Sequence, residues 1–343
     1  MGISVARSSS ATKKGSCIKQ KTQDFVICTL MFLVYYDDKP FTNPIMKRIL
    51  SILAATLITG TLSAQEPADT LWKYNGVVSL NFSQLALSKY WAAGGENSVS
   101  GNGRVTLGAN YLSRDSNVSW DNELILGYGL LQQGDDAVRK SDDKIDLSSK
   151  FGYKAAGNWK YSGLFSFRSQ FTEGYANPGD ENRTKISDFL APGYLNLSFG
   201  MDYKPSKTFA ILLAPVTGKM TLVMDDELSA EGAFGVTPDE NVRAEFGGYI
   251  KIVWTTDLMK NVKLNTKVDL FSNYLENPQY VDVNFDLLLS MKVNEFISAS
   301  LITQLIYDYD IKFDIVDASG NVIRTEDRIQ LKELFGIGLT YSF

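Results

Sequence analysis

Any chemistry this chain performs has to be done without histidine. None of its 343 residues is His, so Ser-His and Asp-His mechanisms, which need a base with a pKa near neutrality, are excluded. A Ser-Lys or paired-carboxylate site would need no His, but no motif marks one. The expectation is a protein that is not an enzyme, with no catalytic residues, cofactor or metal. Carboxylates and ammonium groups remain. Asp225-Asp226-Glu227 is the best candidate for a ligand-facing loop. Its oxygens could hold Ca²⁺ or Mg²⁺, or favour cations if the loop folds into a constriction. No Asp-x-Asp-Gly spacing supports a calcium loop, so a solvated loop is the plainer reading. A second set of charges falls at alternate positions: Asp146, Lys150, Arg168, Arg243, Glu245, Lys251, Lys263, Lys267, Asp269, Asp282, Asp286, Lys292 and Lys332. Both signs occur together, which suits either a polarised channel or a plug of mutually neutralising pairs.

Alternate spacing requires strands to present those charges. The last fifteen residues show the pattern most clearly. Ile329, Leu331, Phe335, Ile337, Leu339, Tyr341 and Phe343 share one parity, and Gln330, Lys332, Gly336, Gly338, Thr340 and Ser342 the other. A period of two puts the apolar set on one face of a strand. Eleven earlier segments repeat it, starting at Tyr74, Arg104, Asn117, Asp143, Trp159, Tyr194, Phe209, Val242, Val262, Val281 and Ile297. A bulge is expected near Ser83-Gln84, where the apolar phase changes. The segment Phe209–Pro215 is apolar on both parities and is the least strand-like.

The connections sort by length. Ser113–Ser116, Lys154–Asn158, Lys204–Lys207, Thr255–Asn261 and Asn294–Phe296 are brief, while the links after the first, third, fifth, seventh and eleventh segments are long and the ninth is intermediate. The longest is Thr217–Asn241. Short-long alternation predicts an all-β, closed, antiparallel up-and-down transmembrane barrel of about twelve strands, with short periplasmic turns and long outer loops. A soluble sandwich has no reason to sort its loops this way. Aromatics gather near both expected rims, as girdles at a lipid–water interface do. Glu333 breaks the apolar parity of the last strand. A spanning strand of about 9–11 residues counted back from Phe343 ends near it, at an interface where a charge is tolerated. Lys312–Arg328 alternates on both sides of Ser319-Gly320-Asn321 and reads as a projecting hairpin. Gly94-Gly95 and Gly101–Gly103 read as a structural turn in the first outer loop.

The N-terminal region carries an address. Met46-Lys47-Arg48, the apolar run Ile49–Leu62 and Ser63-Ala64-Gln65 form a basic, apolar and small-residue series, read as a signal peptide over 46–64 cleaved after Ala64. Residues 1–45 are then an over-called N-terminal extension. The alternative is that Phe25–Tyr36 is a functional apolar segment, too short to span. Residues 65–73 read as a periplasmic lead-in and 74–343 as the barrel. Cys17 and Cys28 both lie in the leader, so the mature chain would have no thiol. Without residues 1–64 the chain keeps 26 of its 34 basic and 36 of its 39 acidic residues. That balance excludes a nucleic-acid footprint.

Several longer motifs look familiar as a set. Trp91–Ser98 (WAAGGENS), Asp142–Tyr153 (DDKIDLSSKFGY), Lys185–Pro192 (KISDFLAP), Gly232–Val236 (GAFGV) and Asp269–Pro278 (DLFSNYLENP) occur in order. Together they resemble, over about Leu71 to Phe343, the outer-membrane barrel family catalogued as domain of unknown function 3078. The resemblance implies a secreted barrel of the Gram-negative cell outer membrane, and brings no activity and no functional residues. Tyr341-Ser342-Phe343 is also similar to the C-terminal aromatic signal read by barrel assembly machinery, which makes that machinery an expected partner beside outer-membrane lipid.

The functional expectation is passage or binding of a small solute through a narrow lumen. The alternative is a non-conducting barrel with a structural or loop-mediated binding role. Arg168, Arg243, Glu245, Lys251, Lys267, Asp269, Asp282 and Asp286 are the candidate lumen charges. Leu164, Tyr249, Val253, Phe271, Leu288, Ile302, Ile306 and Leu334 share their parity and are bulky for a water-filled pore. Eight strands leave a filled interior and sixteen a channel, so twelve favours a narrow or occluded one.

Overall fold

The computed structural model describes residues 71–88, 96–317 and 321–343. The signal segment, its cleavage point after Ala64, the Gly94-Gly95 turn, most of Trp91–Ser98 and the tip at Ser319-Gly320 lie outside those residues. Twelve strands close into one antiparallel barrel. They are β1 (Trp72–Leu85), β2 (Ser98–Leu112), β3 (Val118–Gln133), β4 (Arg139–Ala156), β5 (Trp159–Ser169), β8 (Gly193–Tyr203), β9 (Phe209–Leu222), β10 (Val242–Met259), β11 (Val262–Asn273), β12 (Val281–Lys292), β13 (Ile297–Tyr307) and β16 (Gln330–Ser342). Two hairpins stand outside the ring, β6 (Gly174–Tyr175) with β7 (Lys185–Ser187), and β14 (Lys312–Val316) with β15 (Val322–Asp327). The second is the hairpin read from Lys312–Arg328.

The ring order follows the chain and closes where β1 pairs β16, with Leu80 opposite Leu339 and Val78 opposite Tyr341. At this seam Gly338 has no alternative, because a Cβ there would lie 1.8 Å from the Leu80 carbonyl oxygen. Burial is inverted relative to a soluble protein. On β16 the outward residues Leu331 and Phe335 are 68% and 57% exposed, whereas the inward Asp146 and Glu245 are 4% and 6% exposed. An apolar outer face and a polar interior are what lipid outside a barrel requires. Aromatic rings pack together at both rims. Trp72 lies 5.3 Å from Tyr111 and 5.7 Å from Trp120 at one, and Tyr280 stacks on Tyr309 at 3.8 Å at the other.

The short links 113–117, 157–158, 204–208, 260–261 and 293–296 share one rim with the paired Gly76 and Phe343. The links 86–97, 134–138, 170–192, 223–241, 274–280 and 308–329 form the other, the loop rim.

Four boundaries differ from the sequence reading. β1 has no bulge at Ser83-Gln84; its register with β2 runs unbroken to Leu85 opposite Ser98. Gly101 and Gly103 are therefore strand residues, held on both sides by β1 and β3. The link after β3 is only 134–138, because β4 begins at Arg139. β9 continues through Thr217–Leu222, and its partners skip between Ala214 and Thr217. That bulge explains its two apolar parities. Leu212 and Ala214 face inward before it, and Thr217, Lys219 and Thr221 after it.

Candidate functional site: a lumen crossed by ion pairs

Alternation on β4 sends Asp142, Lys144, Asp146 and Lys150 inward. In the ring, six steps separate β4 from β12, so the two face each other across the diameter, and five separate it from β11. Side chains bridge that gap. The Asp146 carboxylate lies 3.4 Å from the Lys144 ammonium, 3.5 Å from the Arg168 guanidinium and 3.4 Å from the Lys267 ammonium of β11. Lys144 also reaches Asp286 of β12 at 3.6 Å. Arg168, on β5, contacts Asp269 at 3.8 Å and donates to the Asn284 side-chain oxygen at 3.2 Å. Asp269 is held further by Lys267 at 3.7 Å and accepts from the Tyr249 hydroxyl at 2.5 Å. Four cation-bearing and acidic strands thus meet mid-lumen. An apolar cluster of Leu164, Leu212, Ala214, Tyr249 and Phe271 packs beside this layer. Buried charge of this kind is tolerated where Asp146, Asp269, Arg168, Lys144 and Lys267 each have more than one partner, at a desolvation cost those partners offset.

Towards the loop rim a second cluster centres on Lys219 and Arg243. Lys219 contacts Asp282 at 2.7 Å, Glu245 at 3.3 Å and Asp308 at 3.7 Å. Arg243 contacts Asp310 at 2.7 Å, Glu245 at 3.5 Å and Glu276 at 3.7 Å, and donates to the Gly235 carbonyl at 3.3 Å. One guanidinium therefore ties three loops. Nearer the short-turn rim Lys150 pairs Asp202 at 2.7 Å. Lys251 has no carboxylate within 4.0 Å among the described residues, and Lys263 and Lys292 are exposed near that same rim.

The loop 223–241 folds over the mouth. It holds a short helix, α1 (Asp226–Ala230), and a 3-10 turn, Ala233–Gly235. Val223, Leu228 and Val236 bury against Ala191 of the neighbouring loop, with Ala233 and Phe234 packed against them. Of the acidic run, Asp225 has a structural task. It accepts the Leu228 N–H at 3.0 Å as the helix cap and pairs Lys185 at 2.7 Å. The Lys185 hydrogen bond holds the Asp225 carboxyl below its ordinary range, and the same bond pushes the Lys185 ammonium up. Asp226 and Glu227 are exposed in the first turn of α1. The part of the loop that reaches inward is Phe234, at φ 57°, with Gly235 beside it.

Beneath Phe234 lies a cavity of about 300 Å³ bounded by Lys140, Asp142, Gln170, Ile186 and Lys332. Asp142 pairs Lys332 of β16 and accepts from Asn102 at 3.0 Å. Sequence reading missed Lys144, Asp142, Lys219 and Asp202. The first two share the parity of Asp146, so the signal was present. Lys219 was hidden by the bulge, which placed Thr217–Leu222 in a loop.

Residues 82–175 match the model of a family described as Protein of unknown function (DUF3078). This is the family the motifs resemble. Asp142–Tyr153 lies inside the matched residues, and Lys185–Pro192, Gly232–Val236 and Asp269–Pro278 lie beyond them. No curated protein matches the chain. Solved structures similar to it include the COG4313 outer membrane channel from Pseudomonas putida F1, at 13% identity and a TM-score of 0.37, covering 81% of this chain and 98% of that one. The translocator domain of autotransporter NalP from Neisseria meningitidis is 11% identical with a TM-score of 0.33, over 87% and 96% of the two chains. The P. putida toluene transporter TodX is 10% identical with a TM-score of 0.29, over 81% and 80%. No site residue is carried over from any of them.

Proposed function

We propose that this protein is a barrel of the Gram-negative outer membrane that is shut at rest and binds a small solute at its loop rim. The observation that carries the reading is the transverse layer around Asp146, where one carboxylate draws in cations from β4, β5 and β11. A water-filled pore would leave such groups solvated; here Asp146 and Asp269 are both buried. Purified protein in planar bilayers at about 0.15 M salt, where buried pairs are little screened, is expected to stay silent. Discrete unitary steps in the unmodified protein would overturn this.

Passage of the solute is the second reading, and one feature favours it. The contacts that join Lys144, Arg168 and Lys267 to Asp146 are made by side chains at 3.4–3.5 Å. Moving those side chains apart would loosen the layer without unpairing any strand. Delivery fits the same picture: export with cleavage after Ala64, and insertion by assembly machinery reading Phe343. N-terminal sequencing of the envelope-extracted protein should begin at Gln65, and deletion of Phe343 should lower the inserted fraction.

A further inference from the structure

At the loop-rim cavity the hydrogen bonds can be accounted for group by group. Asp143, at its edge, is saturated. It accepts from Lys140 at 2.8 Å, from the Phe171 N–H at 2.7 Å, and from the Thr172 N–H and hydroxyl at 3.1 Å each. Lys140 spends its three N–H groups on Asp143, Gln170 and the Thr172 carbonyl. The Gln170 oxygen accepts from both Lys140 and Ser187. The two Asp142 oxygens serve Lys332 and Asn102. The acceptors are thus occupied.

Donors are left over. Lys332 has three N–H groups and, among the described residues, one partner, Asp142; its side chain is 38% exposed. The Gln170 amide NH₂ and the Ser141 hydroxyl also face this cavity without a described partner. Phe234 and Ile186 line the same cavity. Phe234 is held at φ 57°, a conformation that a bulky residue adopts only under constraint from its surroundings. An ammonium with free donors that shares with two apolar side chains a space at the small end of ligand pockets defines a chemical class.

We infer that the cavity binds a small monocarboxylate with an apolar body. Its carboxylate accepts from Lys332 and the Gln170 amide, and its body lies against Phe234 and Ile186. This rests on the reading of a solute site at the loop rim and names its ligand class.

The probe is benzoate, titrated calorimetrically into detergent-folded full chain. Saturable binding is expected, with benzamide and acetate each at least about tenfold weaker, since one lacks the charge and the other the body. Lys332→Met should weaken benzoate at least about tenfold and Phe234→Ala several-fold. Equal binding of benzoate and benzamide, no saturation by about 10 mM, or full affinity in Lys332→Met would each overturn the inference. Should Lys332→Met not fold, the comparison of benzoate, benzamide and acetate on unmodified protein decides alone. Binding is read in micelles and conductance in bilayers, so the two proposals fail separately. A conducting barrel that binds benzoate overturns the closed resting state only, and a silent barrel that ignores benzoate overturns only the ligand class.

Discussion

Asp146 and Asp142 stand four residues apart on the same face of β4, yet they organise opposite environments. Asp146 gathers three cations within 3.5 Å and is 4% exposed. Asp142 has one cation within 4.0 Å among the described residues, Lys332, whose side chain is 38% exposed. The difference lies in the supply of partners. Mid-lumen, strands from opposite sides each contribute charges, so Asp146, Asp269 and Arg168 each find several neighbours. Beside Asp142, β16 contributes a single lysine, and donors are left unspent. On the proposed reading the saturated layer is what closes the lumen, and the surplus of donors is what a ligand would use.

The largest effect should come from breaking the saturated side. Asp146→Ala leaves Lys144, Arg168 and Lys267 without their common counter-charge. Removing one partner of a buried ionic cluster costs about 3–5 kcal/mol, because the remaining charges stay desolvated. The cations should separate and admit water. Planar bilayers should then show anion-selective steps absent from the unmodified protein, and the urea midpoint of the folded barrel should fall. Silence together with an unchanged midpoint would mean that Asp146 does not hold the layer.

Phe271→Ala tests the apolar half of the same layer. Its ring is packed with Leu164, Leu212, Ala214 and Tyr249. Deleting a buried Phe side chain costs about 3 kcal/mol or more. The ion pairs around Asp146 keep their partners, and only Lys219 loses a ring 5.0 Å away, so the variant is expected to lose stability in urea while remaining silent in bilayers. Conductance equal to that of Asp146→Ala would show that packing, and not pairing, shuts the lumen.

Much of this contrast could be read from the chain. Strand number came from period-two alternation, because a barrel in lipid must place every second residue outward, and closure came from the sorting of the links by length. The eight candidate lumen charges lie on the inward face for the same reason. What alternation cannot give is distance across the ring. Arg168 meeting Asn284, or Lys144 meeting Asp286, depends on barrel diameter and shear, and neither leaves a mark in local sequence. Bulges erase parity as well, which hid Lys219. The acidic run illustrates a third limit. Asp225, Asp226 and Glu227 read as ligand groups by type, but Asp225 is used by its own loop as a helix cap and an anchor for Lys185.

That anchor gives a smaller effect. Asp225→Ala removes a helix cap, worth about 1 kcal/mol, and leaves Lys185 with Glu173 and Asp188, each 3.5 Å away. Amide exchange within 223–241 should quicken several-fold while the barrel strands stay protected. Uniform quickening across β4 and β11 would show instead that the loop and the mid-lumen layer open as one unit, and the contrast between them would fail.

The smallest effect is the dependence of the same loop on pH, and its sign follows from the two shifts. Asp225 is lowered from an ordinary value of 3.8 by the Lys185 hydrogen bond, so its contribution is complete above that value and is lost as pH falls through the lowered one. Lys185 is raised from an ordinary 10.5 by the same bond. Its contribution is complete below that value and is lost as pH rises through the raised one. Between about pH 5 and about pH 9 neither group titrates. Protease cleavage within 223–241 should therefore be flat across that range and rise outside it, on the acid side below the ordinary carboxylate range and on the alkaline side above the ordinary lysine range. In Asp225→Ala the acid rise should be blunted. A rise near neutrality in the unmodified protein would locate the loop's anchor in some group other than this pair.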